Sequence, residues 1–308
     1  YVFPLRSVPL AARPSIAHPS AVVMMRGRGG RTGHLGRWIK RISIGLFTLA
    51  WLAAVWVYLS SMQIIERQYV PEVRNLPSVT SEELLAEGER LARVFGCMDA
   101  CHGDRMQGGV VDSHPMNGRL VAPNLTRAVS RRTLPELEAA VRQGIRPDGT
   151  SVFVMPASSF AAMTDRDLSA IIGFIRGYPQ QVEASDAHEY GLLTRYRIVT
   201  GDLPAQANIR VQRPWRETFR NNEERLGQYL ATVACSQCHG LDLEGRGAAP
   251  SLDKVYDYDR FEFVALMQRG LAPGEREIGT MTDTARKRFA HLTEDEIEAL
   301  FVFLKTRS

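Results

Sequence analysis

Residues 235–240 read Cys235-Ser236-Gln237-Cys238-His239-Gly240, and residues 97–103 read Cys97-Met98-Asp99-Ala100-Cys101-His102-Gly103. Cys-x-x-Cys-His is the attachment sequence of a c-type haem. Two thiols about one helical turn apart can add to the two vinyl groups of a porphyrin, and the adjoining imidazole then faces the iron. The first stretch carries three residues between its cysteines. The extra residue is expected to bulge the loop while Cys101-His102 keeps the juxtaposition that places a ligand. Three other readings of these cysteines stay open: disulfides in an oxidising compartment, a four-thiolate zinc site, or incidental histidines. None of them requires Cys-His-Gly to follow in both copies.

Working outward, the surroundings of the two stretches repeat in the same order. A short helix is predicted before each, over Gly88-Glu89-Arg90-Leu91-Ala92 and Gly227-Gln228-Tyr229-Leu230-Ala231. Ala-Pro-x-Leu follows at Ala122–Leu125 and Ala249–Leu252, then an amphipathic stretch ending in Arg142-Gln143-Gly144 or Gln268-Arg269-Gly270. A methionine and a final helix close each copy. Thr164 and Thr293 are suited to cap those helices, with Asp167 and Glu296 three residues on, the second pair forming a capping box. Apolar residues then recur at helical spacing, at Leu168, Ile171, Ile172 and Ile175, and at Ile297, Leu300, Phe301 and Leu304. No strand-like alternation of comparable strength appears, so the chain is expected to be mostly α. Five features in the same order twice imply a duplicated domain, at 80–180 and 222–308, joined by a connection over 181–221. Forty structureless residues are improbable in a compact protein, so that connection is expected to wrap over a domain surface.

Met155, followed by Pro156, is the expected sixth ligand of the first iron, with Met163 at the start of the final helix as its rival. In the second copy Met281 lies in the corresponding loop, whereas Met267 reads as core packing. His/Met ligation raises the potential of such sites.

The formal charge of +4 is unevenly spread. Residues 1–41 hold eight basic residues and no acid, leaving 30 basic against 34 acidic residues over 42–308, a net −4. No domain carries a basic patch, which argues against nucleic acid as a partner. Ile42–Met62 is 21 residues without a charge, enough for about 30 Å of helix. It is longer than the apolar region of a cleaved signal peptide, and Tyr58 and Leu59 spoil a cleavage pattern. The reading is therefore a basic cytoplasmic tail (1–41), a transmembrane anchor (42–62) and a spacer (63–79), with the rest exported by the positive-inside rule. Met24 or Met25 would make a natural short start.

These segments resemble class I cytochrome c domains, and in particular those of bacterial diheme cytochromes and of the cytochrome subunits of membrane-bound sugar and alcohol dehydrogenases. The resemblance rests on GQYLATVACSQCHG, AAPSL and LTEDEIEALFVFL in the second copy. In the first it rests on GCMDACHG, VAPNLT, VRQGIRPDG, MPASSFAAMTDRDL and IIGFIRGYP. It implies two covalently bound haem c groups, held by Cys97, Cys101, His102 and Met155, and by Cys235, Cys238, His239 and Met281. It also implies that Pro123 and Pro250 offer carbonyls to the imidazoles of His102 and His239. Gly88 and Gly227 would let the first helix of each domain cross closely over the last, near Phe174 and Phe303. The three-residue cysteine spacing departs from the family pattern and leaves single-thioether attachment open at the first site.

With both irons six-coordinate and no cluster of catalytic groups beside them, the expected function is single-electron transfer in a periplasmic respiratory chain of a bacterial inner membrane. The partners would be a redox donor and acceptor. Two alternatives remain: a cytochrome subunit of a membrane dehydrogenase or terminal oxidase, and a diheme peroxidase or sulfur-compound oxidoreductase.

Overall fold

Two helix pairs, each crossing at a glycine, organise the protein. The structure is a computed structural model that describes residues 32–182, 187–209 and 221–307. Most of the expected cytoplasmic tail, up to residue 31, lies outside the described residues. The helices of eight residues or more are α1 (Thr32–Ile65), α2 (Glu82–Val94), α3 (Asp165–Gly177), α4 (Leu192–Thr200), α5 (Asn222–Leu230), α6 (Arg260–Arg269), α7 (Thr280–Lys287) and α8 (Glu294–Thr306). Shorter helical turns join them.

The local signals explain where these helices begin. Ser81 caps α2 by accepting from the Leu84 amide, and Glu82 and Glu83 sit in the first turn, where the helix dipole favours negative charge. Thr164 caps α3 by accepting from Asp167 N, Asn221 caps α5, and Thr293 and Glu296 form a reciprocal capping box on α8. α2 packs on α3 and α5 packs on α8 through faces that bury Leu91, Ala92, Ile171 and Ile175 in one pair and Leu230, Ile297, Leu300 and Leu304 in the other. At the crossings a Cβ on Gly88 would lie 2.1 Å from Ala170 O, and one on Gly227 would lie 1.9 Å from Ala299 O. Only a residue without a side chain permits this approach. Gly227 also meets Phe303, as the resemblance implies, whereas Gly88 meets Ala170 and Ile171, one turn before Phe174.

The described residues from 52 onward form one compact unit, separate from the part of α1 before it. Within the larger unit a single apolar cluster runs through both pairs, from Phe95, Met98 and Leu168 to Leu230, Phe263 and Leu300. Polar ties cross the same seam. Arg90 forks onto Glu296 at 2.7 and 2.9 Å and also donates to His291 O, Tyr229 Oη donates to Asp167 Oδ2 at 2.5 Å, and Gln237 Nε2 donates to Phe95 O at 3.2 Å.

The sequence gives no sign of a small sheet. β1 (Gly109–His114) pairs antiparallel with β2 (Gly118–Ala122), and β3 (Glu189–Tyr190) adds to β2 with Gly118 opposite Tyr190. β1 is almost wholly exposed and its ladder is irregular between Val110 and Asp112, so no buried face imposes the alternation by which a strand is read. The 187–209 stretch lies on the first half: Thr194 Oγ1 donates to Asn117 O at 2.8 Å and Gln206 N to Val152 O at 3.0 Å.

The apolar run expected over 42–62 lies within a longer helix, α1, whose Gly36–Ile65 portion is long and apolar enough to cross a membrane. The basic residues before the run are good helix formers and continue it. At its other end Val57 and Ser61 are buried, and Arg195 donates to Ser61 Oγ at 2.9 Å with its guanidinium over the Tyr58 ring. The expected spacer is also held: Tyr69 N donates to Gly149 O, Glu72 N to Gln143 Oε1, and Leu76 is buried.

Candidate haem sites

The two Cys-His-Gly loops share one backbone pattern. His102 O accepts from Gly108 N and His239 O from Gly245 N, each at 2.9 Å. Met106 and Leu243, both fully buried, occupy the same left-handed position (φ 57° and 60°), donate to the preceding glycine carbonyl, and accept from Leu125 N and Leu252 N respectively. Each loop thus folds back on the Ala-Pro segment that follows it. A Cβ on Gly108 or Gly245 would meet that segment's backbone at 2.7 or 2.8 Å. The first loop reaches Ala122-Pro123 by way of the β1–β2 hairpin; the second goes there directly through an Arg246–Ala249 bridge. The hairpin stands in the first loop where the second has only that bridge.

This return brings each proline carbonyl to a histidine. His102 Nδ1 is 2.8 Å from Pro123 O, and His239 Nδ1 is 2.7 Å from Pro250 O. A carbonyl oxygen only accepts, so each Nδ1 carries the proton and donates. Each Nε2 is left with its lone pair free for a metal. Burial also holds the His102 pKa below the ordinary histidine value, which favours the neutral, ligating form.

The four thiols are free: Cys97 and Cys235 are half-buried, Cys101 and Cys238 exposed. Among the described residues no group of three or more His, Cys, Asp or Glu side chains is arranged to hold a metal ion. Cys235–Cys238 is helical. In the longer first stretch Met98 is extended and Asp99 is left-handed (φ 59°), with the Asp99 carboxylate paired to Arg93. The additional residue is absorbed by that bulge, and Cys101-His102-Gly103 enters the same loop as Cys238-His239-Gly240. Two free thiols, an imidazole with Nε2 available and an adjoining apolar wall are the donor set that haem c requires.

The methionines divide. Met155 is half-buried in irregular chain before Pro156, with its carbonyl accepting from Ala157 N. Met163 is 4% exposed and belongs to the core. Met281 is half-buried but is the second residue of α7 and not in a loop. Gly279 opens that helix, and Thr282 Oγ1 donates to Gly270 O at 2.7 Å, which draws the helix start inward. Met267 is buried on α6.

The cytochrome c family model matches residues 225–308. That segment is a cytochrome c domain. It contains the second motif, Pro250 and Met281, together with helices α6 to α8. Over a longer span the chain is similar to the cytochrome c subunit of a quinone alcohol dehydrogenase from Gluconobacter oxydans (strain 621H), with 24% identity over 263 residues, 73% of this chain and 55% of that protein. It is similar also to the fructose dehydrogenase cytochrome subunit of Gluconobacter japonicus, with 23% identity over 75% of this chain and 54% of the relative. A third relative is the gluconate 2-dehydrogenase cytochrome c subunit of Pantoea cypripedii, with 22% identity over 73% of this chain and 60% of the relative. The chain spans about half the length of the curated relatives it matches. These matches cover most of the chain and so extend beyond the cytochrome c domain into the first half.

Sequence reading missed Arg288. It is 7% exposed, follows α7 directly, and donates from Nε to Val94 O at 3.1 Å, three residues before Cys97. The first half has no charged residue between Met155 and Met163, so comparing the two halves could not have pointed to it.

Proposed function

We propose that the chain is a membrane-anchored, periplasm-facing diheme c-type cytochrome that passes single electrons as the cytochrome subunit of a membrane dehydrogenase. The observation that carries the diheme reading is the recurrence of one histidine–proline-carbonyl cradle at two free-thiol motifs. The dehydrogenase assignment rests on what the relatives are named for, and for that reason it is preferred over a free-standing relay. Cys97 and Cys101, and Cys235 and Cys238, would hold the porphyrins. His102 and His239 would ligate from one side, with Pro123 and Pro250 fixing their rings. Bound haem supplies the one-electron couple; the chain orients it, keeps water from it and sets its potential. α1 would hold the relay beside its partner, with the folded body outside the cytoplasm.

Affinity purification from membranes, with a c-type maturation system present, tests this. The expected result is two haems per chain by pyridine haemochrome and co-isolation of a larger oxidoreductase polypeptide. One haem or none overturns the diheme reading; two haems with no partner in mild detergent favours the free relay.

Met155 and Met281 are assigned as the sixth ligands. Because thioether ligation raises the potential, Met155→Ala is expected to lower one midpoint potential by on the order of 100 mV. Met163→Ala, which opens a core cavity, is expected to cost about 2–5 kcal/mol of stability while leaving both potentials in place. Redox titration beside thermal unfolding separates the two. The reverse pattern would transfer the ligand role to Met163.

A further inference from the structure

Arg288 is a buried cation without an anion. Its side chain crosses from the second half to the first, and its guanidinium lies so close to Gly96 that a Cβ there would be 2.9 Å from Cζ. Nε is satisfied by Val94 O, but Nη2 is buried with no hydrogen-bond partner. No carboxylate pairs with it among the described residues. Gly96 directly precedes Cys97, and Gln237, inside the second motif, donates to Phe95 O beside the Val94 carbonyl that Arg288 holds, so both attachment motifs meet at this point. As thioethers the motif sulfurs would carry no charge, and the porphyrin's two propionates belong to the edge opposite the vinyl groups that the thiols would hold.

An isolated buried charge is costly unless something in its surroundings compensates it. Here each electron would relieve a repulsion between Arg288 and a ferric centre. Reduction of a haem removes one unit of positive charge from its centre, and a fixed cation nearby favours the reduced form.

We propose that Arg288 is a shared potential-setting residue, a single fixed positive charge between the two attachment motifs that raises the reduction potentials of both haems. The proposal rests on the diheme reading and adds to it a residue outside both motifs. It also explains why the second half alone carries this arginine, since one cation in the seam serves both sites.

The experiment is a spectroelectrochemical titration of the full chain, carried out with Arg288→Gln, Arg288→Lys and the unchanged protein after haem counting. Arg288→Gln is expected to retain two haems and to raise the oxidised-to-reduced ratio of both about tenfold at fixed applied potential, a fall of about 59 mV in each midpoint. Arg288→Lys, which keeps the charge and loses the planar fork, is expected to hold both ratios within about threefold of the unchanged protein. Should the glutamine variant fail to load, Arg288→Met, which retains an unbranched stem without charge, takes its place. Two haems per chain with neither potential moved, or with one moved alone, overturns the shared role and leaves the diheme reading standing. Fewer than two haems in the unchanged protein overturns both.

Discussion

Replacing Cys235 and Cys238 together by serine is expected to cut acid-stable haem from two per chain to one, measured by pyridine haemochrome on denatured protein. Serine keeps the size and loses the nucleophile, so the change isolates covalent attachment from packing. The folded environment argues that attachment happens before the motif closes. Burial pushes the Cys235 thiol up to about 12 and the Cys97 thiol up to about 11, so at neutral pH both are protonated and poor nucleophiles. Haem added to the folded, reduced chain is accordingly expected to form no thioether at Cys97 or Cys235, whereas co-expression with the maturation system attaches haem at both motifs. The matching Cys97→Ser, Cys101→Ser protein would keep the other haem. If it instead keeps both, the bulged first motif does not carry a haem of its own. If the Cys235, Cys238 variant keeps both, the attachment reading of the second motif is wrong.

What was legible in the sequence was local. The caps at Thr164 and Thr293 are set by residues three apart, and the glycines that admit the helix crossings precede each Cys-His-Gly at similar distances. A motif of five or six residues states its own chemistry. What the sequence concealed depends on separation along the chain. Arg90 meets Glu296 across 206 residues and Arg288 meets Val94 across 194, and neither pair has any periodic signature. Asp167 was read as part of a cap; its amide does donate to Thr164, but its carboxylate turns to Tyr229 in the other half. The β1–β2 hairpin was hidden for a different reason, because an exposed strand has no burial pattern to display. Met281 was placed in a loop by analogy with Met155, yet Gly279 and the contact of Thr282 with Gly270 start a helix there. Each miss comes from a partner distant in sequence or from a face with no partner.

Gly227→Ala is expected to be among the most damaging single changes to stability outside the motifs. A Cβ at this position would sit 1.9 Å from Ala299 O, 2.6 Å from Ala299 C and 2.6 Å from Phe303 Cβ. Two of those atoms are backbone, so no rotamer change relieves the clash, and α5 must move off α8. Overpacking of this kind costs about 3 kcal/mol or more, against a gain of about 1 kcal/mol from alanine's helix propensity. The net loss corresponds to a fall of roughly 4–8 °C in melting temperature for a unit of this size, read by circular dichroism on the haem-loaded chain. Gly88→Ala, with Ala170 O at 2.1 Å, is expected to behave alike. Gly177→Ala is the control, since nothing lies within 4 Å of its Cβ position, and it should change stability by no more than about 0.5 kcal/mol. Because one apolar cluster runs through both helix pairs, opening either crossing is expected to loosen the other, so Gly88→Ala should give a single shifted transition instead of two. A biphasic melt, with one half unfolding while the other holds, would show that the halves are energetically separate despite their shared core.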